Sequence, residues 1–150
     1  ELAAKSGAGV VLMHMQGNPR TMQEKPDYKD VAREVAEFLR QRVSVAIGYG
    51  MTAERMALDP GIGFGKTAEH NAALLRSLNR LVQIGPPVLV GVSRKSFLRW
   101  LAQAPSTAER FWPGIALTSF CREKGARIFR VHDPKPHREA LRMTEAICQG

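Results

Sequence analysis

The sequence predicts a parallel α/β fold, and three observations carry that reading. Four short apolar runs recur along the chain, each followed by a stretch with apolar residues at helical spacing, giving strand–helix four times over. The runs are almost continuously apolar and do not alternate, so both faces of each strand need cover. Polar and charged residues gather where the runs end, which is where parallel α/β folds carry their chemistry.

The first run, Val10-Val11-Leu12-Met13, leads into a Gly17-Asn18-Pro19 turn. The helix after it sets Val31, Val35, Phe38, Leu39 and Val43 on one face. Met56-Ala57-Leu58-Asp59 is the second strand, stopped by Pro60-Gly61. One helix follows over 68–84, with Ala72, Leu75, Leu78 and Val82 in phase. Val88 to Val92 is the third strand. Ser106 and Glu109 have the spacing of a capping box, while Pro113-Gly114 places the main helix at about 115–123. Ala126 to Val131 is the fourth strand, and a helix over 136–147 closes the chain. Two architectures accommodate this order: an open doubly wound sheet, or part of a TIM barrel, which takes about 250 residues in full.

Composition narrows the function classes. Hydrophobic residues at 44% and charged residues at 24% suit a folded globular chain and exclude a disordered one. The longest apolar runs are too short to cross a membrane, and no basic stretch precedes an apolar one in the manner of a secretory signal. Glu1 is not an initiator residue, which leaves room for sequence upstream. Twenty-two Lys and Arg against 14 Asp and Glu leave a net charge of +8, which favours anionic partners such as phosphates or nucleic acid. Arg33, Arg40, Arg76, Arg80, Arg138 and Arg142 are spread without aromatic interleaving, so we expect a solvated face and no nucleic-acid groove. Cys121 and Cys148 form no CxxC and the four histidines no HExxH pair. Neither a zinc site nor a disulfide scaffold is expected, and a reducing cytoplasm is the natural setting.

The strand ends supply the candidates: His14, Asp59, Ser93-Arg94-Lys95-Ser96 and Arg130-Val131-His132-Asp133. Strand parity puts Met13 with Met15, Ser93 with Lys95, and Arg130 with His132, so unlike charges converge on one rim. Asp59 could be mere punctuation before a turn, but an ionised carboxylate also accepts two parallel N–H bonds, which suits a 2-amino-pyrimidinone or a guanidine-like edge. Lys95 could snorkel to solvent, and Ser96 could open a helical turn whose N–H groups attract an anion. Arg130 and His132, two apart after Ile128-Phe129, make a phosphate clamp. A histidine like His14, between two methionines, is more often a satisfied core residue than a catalyst. Gly61, Gly63 and Gly65 read as positions where a tight turn or a ligand excludes a Cβ. The same stretch is no P-loop, which needs Gly where Pro60 stands, and no dinucleotide fingerprint, which needs Gly where Lys66 stands.

Four motifs, in order, resemble dihydropteroate synthase. They are Leu12-Met13-His14-Met15-Gln16-Gly17-Asn18-Pro19-Arg20-Thr21-Met22-Gln23, then Asp59-Pro60-Gly61-Ile62-Gly63-Phe64-Gly65-Lys66-Thr67 with His70-Asn71, then Gly91-Val92-Ser93-Arg94-Lys95-Ser96, and Arg130-Val131-His132-Asp133. The resemblance implies a TIM barrel that joins p-aminobenzoate to 6-hydroxymethyl-dihydropterin diphosphate and releases diphosphate. It implies that Asp59 holds the pterin's amino-pyrimidine edge and that Lys95 bonds the pterin ring beside the aminobenzoate. Arg130 would cover the pterin face and, with His132, contact the diphosphate. Met13, Gly63 and Phe64 would line the pterin pocket, and Ser96 would stand near the aminobenzoate carboxylate. Mg²⁺ is implied as well, through an Asn that this chain lacks.

The motifs correspond to the last four strands of the family's eight. We therefore expect one partial domain over residues 1–150, four βα units of a pterin-binding barrel, without the N-terminal half. Such a slice would bare two strand edges and an apolar inner face. Its expected partners are the two substrates and either a second copy, giving a homo-oligomer, or the N-terminal half. Two other functions compete: the pterin-binding barrel of a methyltransferase, and a non-catalytic, self-associating fragment. The phosphate clamp counts against the first, because methyl transfer has no diphosphate to hold.

Overall fold

A computed structural model describes residues 1–148. Its strands are β1 (Val10–Met13), β2 (Met56–Asp59), β3 (Leu89–Val90) and β4 (Ile128–Phe129). Its helices are α1 (Leu2–Ser6), α2 (Val31–Gly48), α3 (Ala68–Arg76), α4 (Leu78–Val82), α5 (Leu98–Leu101), α6 (Phe111–Glu123) and α7 (Pro134–Cys148). Strand β1 runs parallel to β2 with Met13 opposite Asp59, and β3 runs parallel to β4 with Leu89 opposite Ile128. The Leu58 N–H donates to Pro87 O at 2.9 Å and Leu58 bridges Val88, which joins the two pairs into the order β1-β2-β3-β4.

The helices cover one side of this arc. Met56, Leu58, Val88, Val90 and Val92 point outward into a core with Val35, Leu39, Leu74 and Leu78. Helix α2 starts where Asp30 accepts from the Arg33 N–H at 3.0 Å and Glu34 accepts from the N–H groups of Lys29 and Asp30. The other side of the arc is bare at its edges, with Val11 53%, Met13 38% and Ile128 39% exposed. The six arginines read as a solvated face are all exposed.

Several elements depart from the sequence reading. The helix expected over 68–84 breaks at Ser77, whose N–H is shared by Ala73 O and Leu74 O. The chain turns there, so that Leu78 and Leu81 reach the core and Val82 stays exposed. Helix α6 begins at Phe111, ahead of Pro113-Gly114, because a proline in the first turn gives up an N–H that has no intrahelical partner anyway. The Ser106–Glu109 box does close, in both directions, but it caps the turn leading into α6. Strands β3 and β4 are shorter than their apolar runs. Pairing continues past their ends only through single bonds, such as the Arg130 N–H to Val90 O at 3.0 Å. Helices α1 and α5 had no periodic signal, since each is a turn or so long.

Candidate functional site

Asp59 ends β2 and is 8% exposed. Its Oδ1 accepts from the Gly61 N–H at 2.7 Å. Burial pushes its carboxyl up, while that N–H and the cations Lys95, Arg130 and Lys66 pull it back down. The loop after it is wound tightly against β1. Gly61 has φ +67°, and a Cβ there would lie 1.8 Å from His14 O, so a neighbouring backbone and not a ligand demands this glycine.

Lys66, 3% exposed, pins that loop. Its ammonium donates to Gly61 O and Phe64 O, both at 3.0 Å, and to His14 Nδ1 at 3.1 Å. Three donors meet three acceptors. Burial, ahead of the charge of Lys66, takes the His14 imidazole down to about 4, and burial takes Lys66 down to about 8. The loop is braced elsewhere too. Asn71 Oδ1 accepts from the Gly63 N–H at 2.7 Å, Gln23 Nε2 donates to Gly63 O at 2.6 Å, and the Tyr28 hydroxyl donates to Gly65 O at 2.8 Å.

Lys95 reaches across from the end of β3. Its ammonium donates to Ile62 O and sits 4.3 Å from the centroid of the Phe64 ring. Burial lowers it to about 8, helped by the positive Arg130 and opposed by Asp59. Gly63, φ +80°, leaves room for this side chain, since a Cβ there would come within 3.2 Å of Lys95 Cδ. The Arg130 guanidinium lies over Gly91, where a Cβ would meet it at 3.4 Å. His132 is tied to Ser93, with its N–H donating to Ser93 Oγ at 3.4 Å and its Nδ1 3.1 Å from the same oxygen. Beside that pair, Arg94 Nη2 and Nε donate to Asp133 Oδ2 at 2.7 and 3.1 Å. Gly91, Ser93, Arg94, Lys95, Arg130 and His132 enclose a cavity of about 240 Å³ with Val131. Three cations and an imidazole around so small a space favour an anion.

The sequence candidates thus divide. Asp59, Gly63, Phe64, Lys95, Arg130 and His132 form one connected site, and Met13 stands opposite Asp59 on β1. Ser96 belongs to another space, a cavity of about 500 Å³ with Gln23, Gly63, Phe97 and Trp100 in its wall. The helical turn expected at Ser96 starts at Leu98 and is four residues long, too short to concentrate a dipole on an anion. His14 turns away from the site and meets Phe38 of α2 edge-on, 5.0 Å between centroids, as a satisfied core histidine. Sequence reasoning passed over Lys66, Asn71, Gln23 and Tyr28. A usable signal was present: a loop of three glycines exposes carbonyls that side chains must satisfy.

The described residues do not fit a magnesium site of their own. They contain no group of three His, Cys, Asp or Glu able to hold a metal. The two carboxylates near the anion cavity are already engaged, Asp59 by Gly61 and Asp133 by Arg94.

Residues 1–132 match the family model described as pterin binding enzyme. The dihydropteroate synthase of Neisseria meningitidis serogroup B is 44% identical over 149 residues, 97% of this chain and 52% of that protein. That of Escherichia coli K12 is 43% identical over 150 residues, 100% of this chain and 53% of that one. The crystal structure of dihydropteroate synthase from Thermus thermophilus in complex with 6HMPPP superposes with a TM-score of 0.92 at 44% identity, covering 98% of this chain and 58% of that chain. The Yersinia pestis dihydropteroate synthase with a sulfonamide drug also gives a TM-score of 0.92, at 39% identity over 98% of this chain and 53% of that chain. The chain spans about half the length of the curated relatives it matches.

Proposed function

The chain belongs to the pterin binding enzyme family, and from that premise we propose that it supplies the diphosphate-leaving and pterin-holding half of a dihydropteroate synthase site. Its four βα units are half of a (β/α)₈ barrel, with the site at the carboxyl ends of the strands. The reaction breaks the C–O bond between the pterin methylene and the diphosphate. The electron pair leaves with the diphosphate, the aniline nitrogen of p-aminobenzoate bonds to the methylene, and that nitrogen loses a proton.

The observation that carries this reading is the anion cavity of Arg130, Lys95 and His132 beside the buried Asp59. In our reading the cations stabilise charge that grows on the departing diphosphate, where fixed donors act most strongly. Arg130 also covers the pterin face, a role suited to a flat guanidinium. Asp59 accepts two N–H bonds from the amino-pyrimidine edge. Lys95 bonds the pterin ring, and Met13, Gly63 and Phe64 wall the pocket. Ser96 faces the aminobenzoate carboxylate from the larger cavity, which has room for a benzoate. Mg²⁺, in this reading, arrives on the diphosphate with ligands from outside these residues, and no step above passes through it.

The remaining barrel face supports the other partners. We assign the cover over Val11, Met13 and Ile128 to the N-terminal half of such a barrel, or in its absence to a second copy of this chain. Among the described residues no helix is long and apolar enough to cross a membrane. Cys121 and Cys148 are both free, which suits the reducing cytoplasm. Calorimetry with inorganic diphosphate tests the central claim. The chain should bind it, and Arg130→Ala should lose about 1.5–3 kcal/mol, the usual worth of a charged hydrogen bond. Equal binding by both proteins refutes the assignment.

A further inference from the structure

Ser93 is 4% exposed and takes no part in the chemistry proposed above, yet its hydroxyl meets His132 twice. A hydroxyl has one proton and two lone pairs. The His132 N–H donates to Ser93 Oγ and occupies one lone pair. Were Nδ1 protonated, it would donate to the other lone pair, and the Ser93 proton would be left buried. No other protein acceptor approaches that hydroxyl among the described residues, and an unpaired buried donor is costly. The arrangement that satisfies every group has the Ser93 hydroxyl donating to Nδ1. Nδ1 is then the lone-pair nitrogen, and the proton of the neutral ring sits on Nε2. Nε2 has no protein partner among the described residues, and the ring borders the anion cavity.

A second bond set fixes the same segment. Arg94, held at φ +56°, donates twice to Asp133, the residue after His132. A non-glycine residue in that region is strained, and the strain is tolerated where surrounding contacts over-determine it. Ser93 to His132 and Arg94 to Asp133 are therefore adjacent rungs between the ends of β3 and β4.

We propose that Ser93 is a positioning residue: it selects the Nε2–H tautomer of His132, so that a neutral imidazole still presents a donor to the diphosphate. The inference deepens the reading of that cavity as the diphosphate site and rests on it. A hydroxyl dipole here does for an anion-binding histidine what a carbonyl or carboxylate does for a metal-binding one: it settles which nitrogen faces the ligand.

The test is nitrogen-15 NMR of the neutral His132 ring on the 150-residue chain without ligand, followed by calorimetry with inorganic diphosphate. The wild-type ring should show Nε2 protonated and Nδ1 as a hydrogen-bonded acceptor. Ser93→Ala should give a mixture of tautomers and roughly tenfold weaker diphosphate binding, as for a lost charge-assisted bond. Ser93→Thr, which keeps the hydroxyl, should restore both. A wild-type ring protonated at Nδ1 overturns the proposal even if neither variant folds. An unchanged tautomer in a folded Ser93→Ala protein overturns it too. If the wild-type chain fails to bind diphosphate, the reading of the cavity falls, while the ring spectrum still decides the role of Ser93.

Discussion

Acid should weaken this fold through one histidine, and the size of the effect follows from its surroundings. His14 is 7% exposed, accepts from the Lys66 ammonium through Nδ1, and has its imidazole lowered from 6.5 to about 4. The unfolded chain takes up a proton on this ring as pH falls through 6.5, while the folded chain resists until about 4. The stabilisation is therefore fully present above 6.5, shrinks through the window between, and is gone below about 4. At 1.36 kcal/mol per unit the shift is worth about 3 kcal/mol, a large share of an ordinary domain's stability. Protonation would also set two cations 3.1 Å apart and remove one of the three acceptors that hold Lys66. Urea unfolding of the wild type and His14→Asn, at about pH 7 and about pH 4, measures it. Asn keeps an acceptor near the Nδ1 position and cannot titrate. It should be the weaker protein at neutral pH, having lost the packing on Phe38, but should lose about 3 kcal/mol less on acidification. The raised carboxyl of Asp59 works in the opposite direction, favouring the folded state in acid, but it is common to both proteins and cancels in the difference. Identical pH dependence in the two proteins would refute the reasoning.

The other expectations concern the pocket and the bare face. Asp59→Asn keeps the shape but turns one acceptor toward the amino-pyrimidine edge into a donor, so pterin affinity should fall by about 1–3 kcal/mol in a titration of a pterin-binding preparation. An unchanged affinity removes Asp59 from the pterin edge. The 150-residue chain, with Val11, Met13 and Ile128 bared between two open strand edges, should self-associate in sedimentation and release negligible diphosphate from the two substrates. A compact monomer contradicts the first part and turnover by the chain alone contradicts the second. A separately expressed N-terminal half should restore some turnover.

What could be read in advance was whatever depends on short-range pattern. Strands β1 and β2 fall where their apolar runs stand, because continuous apolar tetrapeptides have few other places to go. Asp59, Lys95, Arg130 and His132 were legible because all four stand at or just past strand ends, although parity does not sort them: Arg94 has φ +56°, and Arg94 and Val131 line the same cavity as their neighbours. The break at Ser77 was not, since local periodicity runs through it and only the core decides that Leu81 outranks Val82. Lys66 was hidden for a related reason. Lysine is by default a surface residue, and nothing in its neighbours announces that a histidine 52 positions upstream will accept from it. Ser96 follows Lys95 in the chain, yet it lines the larger cavity while Lys95 lines the smaller, a division that strand-end position alone does not announce.

The braces also have a direction. Asp59, on β2, is held by a loop whose lysine is anchored to His14 at the end of β1. Lys95, at the end of β3, is fixed by Ile62 O in the loop after β2. His132, at the end of β4, is fixed by Ser93 at the end of β3. Lys95 and His132 are thus each oriented by the segment after the preceding strand, while Asp59 is held by the N–H of Gly61 in its own loop, which Lys66 in turn anchors to His14. Met13 is the one proposed pocket residue on β1, whose outer neighbour is not among the described strands, and it is 38% exposed. Met13 has no such brace among the described residues, so the proposed pocket is least braced at β1 and most braced at the anion cavity between β3 and β4.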